Sequence, residues 1–162
     1  PAEARKWFRK AAEQGLASSQ VNLGILYDKG QGGEQSYSEA VKWYRKAADQ
    51  GHANAQFILG NKYTNGEGIE KNLAEAASWF RKAADQGHAS AQYNLGLAYA
   101  KGDGIEKSYP RMLVWLSIAA QNGHQQAAKA RDTTRKLMSP TDVEKAARMA
   151  QEWLENFKAQ KK

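Results

Sequence analysis

The chain has 162 residues, 41% hydrophobic and 25% charged, with fourteen Gly, three Pro and no Cys. That mix fits a helical chain with glycines kept for boundaries, and it excludes disulfides and thiolate metal sites. No apolar run nears the roughly 18 residues of a membrane span, no leader-like pattern opens the sequence, and the net charge of +7 leans toward the C-terminus.

Trp7, Trp43, Trp79 and Trp115 are evenly spaced, and Gly15, Gly51, Gly87 and Gly123 keep the same interval. A unit copied at this period cannot bury its apolar face alone and becomes stable by stacking on its neighbours. The first predicted element, around Ala4–Glu13, enters halfway through a unit. It is a helix B without its own helix A, so Trp7 and Phe8 are expected to be partly exposed, and this uncapped end is a candidate for self-association.

Helix A follows as Ala17 to Tyr27, Ala53 to Tyr63 and Ala89 to Tyr99. Gln, Leu, Gly and Tyr recur in each copy (Gln20, Leu23, Gly24 and Tyr27 in the first) at spacings of three and four, which place them on one helical stripe. A glycine inside a helix costs about 1 kcal/mol relative to alanine, so Gly24, Gly60 and Gly96 are predicted to allow close approach of helix B. Each helix A leads into a Gly-x-Gly turn (Gly30 and Gly32, Gly66 and Gly68, Gly102 and Gly104), which lacks the preceding strand of a phosphate-binding loop.

Helix B reads Ala40 to Ala48, Ala76 to Ala84 and Met112 to Ala120, small residues alternating with aromatics, and ends at Gly51, Gly87 and Gly123. His52, His88 and His124 come next. One metal ion cannot bridge residues a repeat apart, so their expected role is structural, at the entrance to the following helix A. No carboxylate pair or Ser, His and Asp set suggests catalysis. Arg9-Lys10, Arg45-Lys46 and Arg81-Lys82 form a basic ladder on helix B; without interleaved exposed aromatics it disfavours nucleic acid, and an acidic protein is the better electrostatic partner for the basic C-terminal half. Gln125 to Leu137 lacks the Leu-Gly and Tyr signature and reads as a capping half-repeat. Ser139-Pro140-Thr141-Asp142 then starts a last helix whose apolar face (Ala146, Met149, Ala150, Trp153, Leu154, Phe157) is expected to seal the final layer.

These motifs, matched almost position by position three times over, resemble the Sel1-like repeat family, relatives of the tetratricopeptide repeats; a bacterial source is expected. The resemblance implies an all-α solenoid, a right-handed superhelix of antiparallel helix pairs with the A helices lining a concave face. On that basis the chain is divided as one solenoid domain: a partial repeat over 1–15, full repeats over 16–51, 52–87 and 88–123, and capping helices over 124–162. Some bacterial members fasten each repeat with a disulfide, from which this Cys-free chain departs. The family implies adaptor work without catalysis, cofactor or metal. Positions that face the groove in tetratricopeptide relatives fall here on Val21, Asn22 and Ile25, on Phe57, Ile58 and Asn61, and on Tyr93, Asn94 and Leu97. Apolar anchors there would hold a partner's side chains while the asparagines bond its backbone; alternatively Ile25, Ile58 and Leu97 pack within or between repeats. The leading expectation is a scaffold that binds a protein or peptide on this face. The alternatives are an immunity or inhibitor protein that neutralises a toxin or enzyme, and an architectural or oligomeric element. A periplasmic or envelope location is favoured if a signal peptide has been removed, and the cytoplasm otherwise.

Overall fold

A computed structural model describes residues 2–160. Among these the secondary structure is nine helices: α1 (Ala2–Glu13), α2 (Ala17–Asp28), α3 (Tyr37–Asp49), α4 (Ala53–Asn65), α5 (Leu73–Asp85), α6 (Ala89–Lys101), α7 (Tyr109–Gln121), α8 (Gln125–Arg135) and α9 (Pro140–Gln160). The A helices are α2, α4 and α6, and the B helices are α1, α3, α5 and α7. The chain falls into two compact units, Pro1–Lys82 and Ala83–Lys162, divided within α5.

Backbone chemistry fixes where each helix B stops. Gly51 takes φ +87°, which lets its N–H donate to the Ala48 carbonyl at 3.0 Å while the His52 N–H donates to Ala47 at 3.1 Å. Those bonds satisfy two of the last carbonyls of α3, and the same pair recurs at Gly15, Gly87 and Gly123. The following residue then opens the next helix. Nδ1 of His52, His88 and His124 accepts the N–H of Ala55, Ala91 and Ala127 at 3.3, 3.2 and 3.1 Å. Each imidazole is thus an N-cap, the structural role expected of it. In the first copy Leu16 holds this place and supplies no side-chain cap.

The B helices have caps of their own, which the sequence reading passed over. Ser36 Oγ accepts from the Glu39 N–H at 3.3 Å, Asn72 Oδ1 accepts from Ala74 and Glu75 at 3.0 Å, and Ser108 Oγ accepts from Arg111 at 3.4 Å.

In the first unit the predicted stripe is the core: Leu23, Ala40, Tyr44, Ala47, Ala55 and Leu59 are at most 2% exposed. A Cβ added at Gly24 would stand 2.5 Å from the Tyr44 ring, and one at Gly60 would stand 2.6 Å from the Phe80 ring. The recurring glutamines are buried too, and their amides tie successive helices. Gln20 donates to the Ala12 carbonyl and Gln56 to that of Ala48, both at 3.1 Å. At the amino end Trp7 is 66% exposed and Phe8 half-buried, whereas Trp43 is 7% exposed. Ile69 lines the same depression as Trp43; the residue at the corresponding place after α2 is Gly33, which has no side chain to cover Trp7.

In the second unit Ala91, Leu95, Leu113, Leu116, Ile118, Ala119 and Ala127 are buried, with Gly96 set against Leu116. Gln92 repeats the amide tie, donating to the Ala84 carbonyl at 3.0 Å. Helix α9 lays Ala146, Ala150 and Leu154 inward. Trp153 meets Trp115 edge-on at 5.7 Å and stacks on Phe157 at 4.9 Å. Ser139 caps α9 by accepting the Asp142 N–H at 3.2 Å. Met149, placed on the sealing face by the sequence reading, is 41% exposed, because at 3.6 residues per turn it lies about a quarter-turn from the centre of the stripe.

Candidate functional site

The A-helix positions singled out by sequence behave differently from one another. In the first unit Asn22 is exposed, and Ile25, Phe57, Ile58 and Asn61 are half-buried. Val21 is the correction: at 5% exposure it packs inside the unit, since a short β-branched side chain is covered where the larger ring of Phe57 reaches past its surroundings. Phe57 rests against Phe80, with ring centroids 6.1 Å apart and planes tilted by 44°. Asn61 stands one helical turn after Phe57, on the same side of α4.

In the second unit Tyr93, Asn94 and Leu97 are all half-buried. Tyr93 stacks on the His124 imidazole at 4.5 Å with the planes 19° apart and packs beside the core formed by Leu116, Ala119 and Ala127. His124 therefore caps α8 through Nδ1 and braces Tyr93 through its ring face. Phe57 and Tyr93, at the same repeat position, are thus aromatic side chains held in place by a neighbour yet partly open to solvent. A ring fixed in this way loses little rotamer freedom on meeting a partner, which is what an interface anchor requires.

The basic ladder has internal partners. The guanidinium of Arg9 donates to the Tyr27 hydroxyl, and that of Arg45 to the Tyr63 hydroxyl. Lys10, Lys46 and Lys82 lie over the rings of Trp7, Trp43 and Trp79 at 5.1, 4.2 and 3.9 Å. Arg9 and Arg45 thus tie α1 to α2 and α3 to α4, while each lysine lies over a tryptophan of its own helix.

One polar cluster in the first unit breaks the repeat. Lys62 Nζ lies 2.8 Å from Asp28 Oδ1 and 2.9 Å from Glu67 Oε2, with its side chain 8% exposed, and the Tyr44 hydroxyl donates to Asp28 Oδ2 at 2.9 Å. Burial pulls the Lys62 pKa down, but hydrogen bonds to Asp28 and Glu67 outweigh it and hold the ammonium above the usual lysine value. The hydrogen bond from Lys62, then that from Asn65, keeps Glu67 below the usual carboxylate range. Burial, then the Asp28 charge, pushes the Tyr44 phenol far above its ordinary value. The other copies carry Leu26 or Ala98 in place of Lys62, so this cluster is particular to the contact between α2, α3 and α4. It satisfies its own charges and presents no open reactive group.

Among the described residues no group of three or more His, Asp or Glu could hold a metal ion, and no helix is long and apolar enough to cross a membrane.

Residues 1–16, 17–52, 53–88 and 89–124 match the Sel1 repeat family model. Among solved structures, c5321, described as a protective antigen present in uropathogenic Escherichia coli strains and displaying an SLR fold, is 38% identical with a TM-score of 0.87. The similarity covers 94% of this chain and 33% of that one. A Sel1 repeat protein from Oxalobacter formigenes is also 38% identical, with a TM-score of 0.72, over 81% of this chain and 59% of that chain. Helicobacter pylori cysteine rich protein B, 21% identical with a TM-score of 0.63 over 79% of this chain and 92% of that one, shares the fold. The chain thus spans about a third of the first of these proteins and 59% of the second. No curated protein matches it significantly. The fold class is that of these neighbours, an all-α helical-repeat solenoid.

Proposed function

Because the chain belongs to the Sel1 repeat family, whose members typically act as protein–protein interaction scaffolds, we propose that it is a non-enzymatic scaffold that binds a protein or peptide through its A helices. The contact residues are Asn22, Ile25, Phe57, Asn61, Tyr93, Asn94 and Leu97. The observation that carries this reading is the pair of braced, half-open aromatics at one repeat position, Phe57 against Phe80 and Tyr93 against His124. Each is accompanied by an asparagine, Asn61 or Asn94, able to hydrogen-bond a partner's backbone. Apolar anchors beside amide groups suit an extended segment or an amphipathic helix, with rings filling the partner's apolar positions and amides setting its register.

The test is capture from a lysate of the source organism with the intact chain and with a Phe57→Ala, Asn61→Ala, Tyr93→Ala variant of matching helicity. The reading expects a defined partner retained by the first and lost by the second. Equal retention by both would place the contact elsewhere and overturn the assignment of this face.

A further inference from the structure

The turn between α8 and α9 carries the most exposed of the large hydrophobic side chains among the described residues. Leu137 is 83% exposed, although burying a leucine normally contributes about 2 kcal/mol. Its backbone N–H closes the end of α8 by donating to the Thr134 carbonyl at 3.0 Å, but neither flanking helix uses its side chain. Thr134 closes α8 by burying its own side chain, and Ser139 caps α9. Immediately before Leu137 stand Arg135 and Lys136, both exposed, with Lys129 and Arg131 in the preceding turns of α8.

The charge around this tip is one-sided. Asp132 is the one acid between Lys129 and Lys136, and its carboxylate lies 2.8 Å from Arg131 Nε. Arg131, with Arg135 and Lys136 further off, holds Asp132 below the ordinary carboxylate range, so it stays an anion within a cationic field. The segment from Lys129 to Lys136 therefore keeps a net charge of +3 (four cations, one anion). On the far side of the tip, Asp142 is engaged by the Ser139 hydroxyl at 2.8 Å.

We propose that the Arg135-Lys136-Leu137 turn docks peripherally on an anionic lipid surface, with Leu137 entering the interfacial region and Lys129, Arg131, Arg135 and Lys136 meeting the headgroups. A lipid surface fits this shape better than a protein or a nucleic acid. A single leucine projecting from a turn needs a soft medium to enter, and the four cations along the segment leading to it need diffuse negative charge. The segment from Lys129 to Leu137 has no aromatic side chain on which a base could stack. Each cation near such a surface strengthens binding about fivefold, and one inserted side chain adds a comparable factor, so the association is reversible and salt-dependent.

The absence of native cysteine makes the test direct. In Leu137→Cys an environment-sensitive fluorophore on the new thiol reports entry into lipid, read with vesicles of about 30% phosphatidylglycerol in phosphatidylcholine and with phosphatidylcholine alone, in about 0.1 M salt. The expected result is a blue shift with the anionic vesicles only, reduced at high salt. Unlabelled chain carrying Arg135→Glu and Lys136→Glu should float with these vesicles at least tenfold less than the original, and Leu137→Asp at least about fivefold less, both with unchanged helicity. No blue shift, flotation indifferent to the charge reversals, or binding to a polyanion such as heparin with none to vesicles would overturn the proposal. The binding of a protein by the A helices plays no part in these readouts.

Discussion

Replacing the helix-A glycines by alanine separates two opposing effects that the repeats weigh differently. Alanine inside a helix gains about 1 kcal/mol over glycine from propensity alone. At Gly60 the new methyl would lie 2.6 and 2.7 Å from Phe80 Cε1 and Cδ1, on a ring that is itself buried at 6% exposure. Overpacking of this kind costs about 1–3 kcal/mol, so Gly60→Ala should be destabilising by about 1 kcal/mol net. Gly24→Ala meets Tyr44 at 2.5 Å and disturbs its 2.9 Å hydrogen bond to Asp28, so it should cost about 2 kcal/mol. At Gly96 the nearest atom is Leu116 Cδ2 at 3.2 Å, a branched aliphatic that yields more readily, and the two effects should cancel to within about 0.5 kcal/mol. Thermal and urea unfolding followed by circular dichroism should give the order Gly24, Gly60, Gly96, with about 2–4 °C per kcal/mol. Combining Gly60→Ala with Phe80→Leu copies the pairing of Gly96→Ala with Leu116 and should show a coupling of at least about 0.5 kcal/mol between the two changes. Equal effects at all three sites, or stabilisation by Gly60→Ala, would refute the close-approach reasoning.

Three further outcomes follow from particular contacts. Leu16→Asn, at the one A-helix entrance without a side-chain cap, should stabilise the chain by about 0.5–1 kcal/mol in the same unfolding assay, and His52→Ala should cost a similar amount. Burial holds the His88 pKa below its ordinary value, so the unfolded chain binds the proton more tightly. The stability His88 contributes is complete above about pH 6.5 and is lost as pH falls through the folded pKa; His88→Asn should flatten the stability profile over that window. Lys62→Met leaves the half-buried Asp28 without its cation and should cost about 2 kcal/mol, most of it recovered when Asp28→Ala is added, as a double-mutant cycle would measure.

The parts of the fold that repeat were legible because each copy corroborates the others. Gln, Leu, Gly and Tyr at helical spacing could only be one buried stripe, and glycine followed by histidine marked where one helix ends and the next begins. Ser36, Asn72 and Ser108 keep the same interval as the tryptophans but change residue type from copy to copy, so the recurring large residues outweighed them, although Ser36 followed by Glu39 three residues later is itself a helix-start signature. The pairing of Lys62 with Asp28 occurs in one copy and joins residues distant in sequence, so no periodicity announces it. Val21 shares its repeat position with Phe57 and Tyr93, yet burial depends on side-chain length and on the neighbour met, which register alone does not supply. The exposure of Leu137 was unreadable for the same reason: the turn's residue types were plain, but not that both helices would close without the leucine side chain.

The central claim is that the A-helix face carries the partner. Its most direct test is site-specific photo-crosslinking in source cells, with the probe placed in turn at Asn22, Asn61 and Asn94 and, as controls on the B helices, at Lys42, Ser78 and Arg111, all three exposed. The account expects one protein to be crosslinked from the first set and absent from the second. Adducts arising from the B-helix positions alone would contradict it.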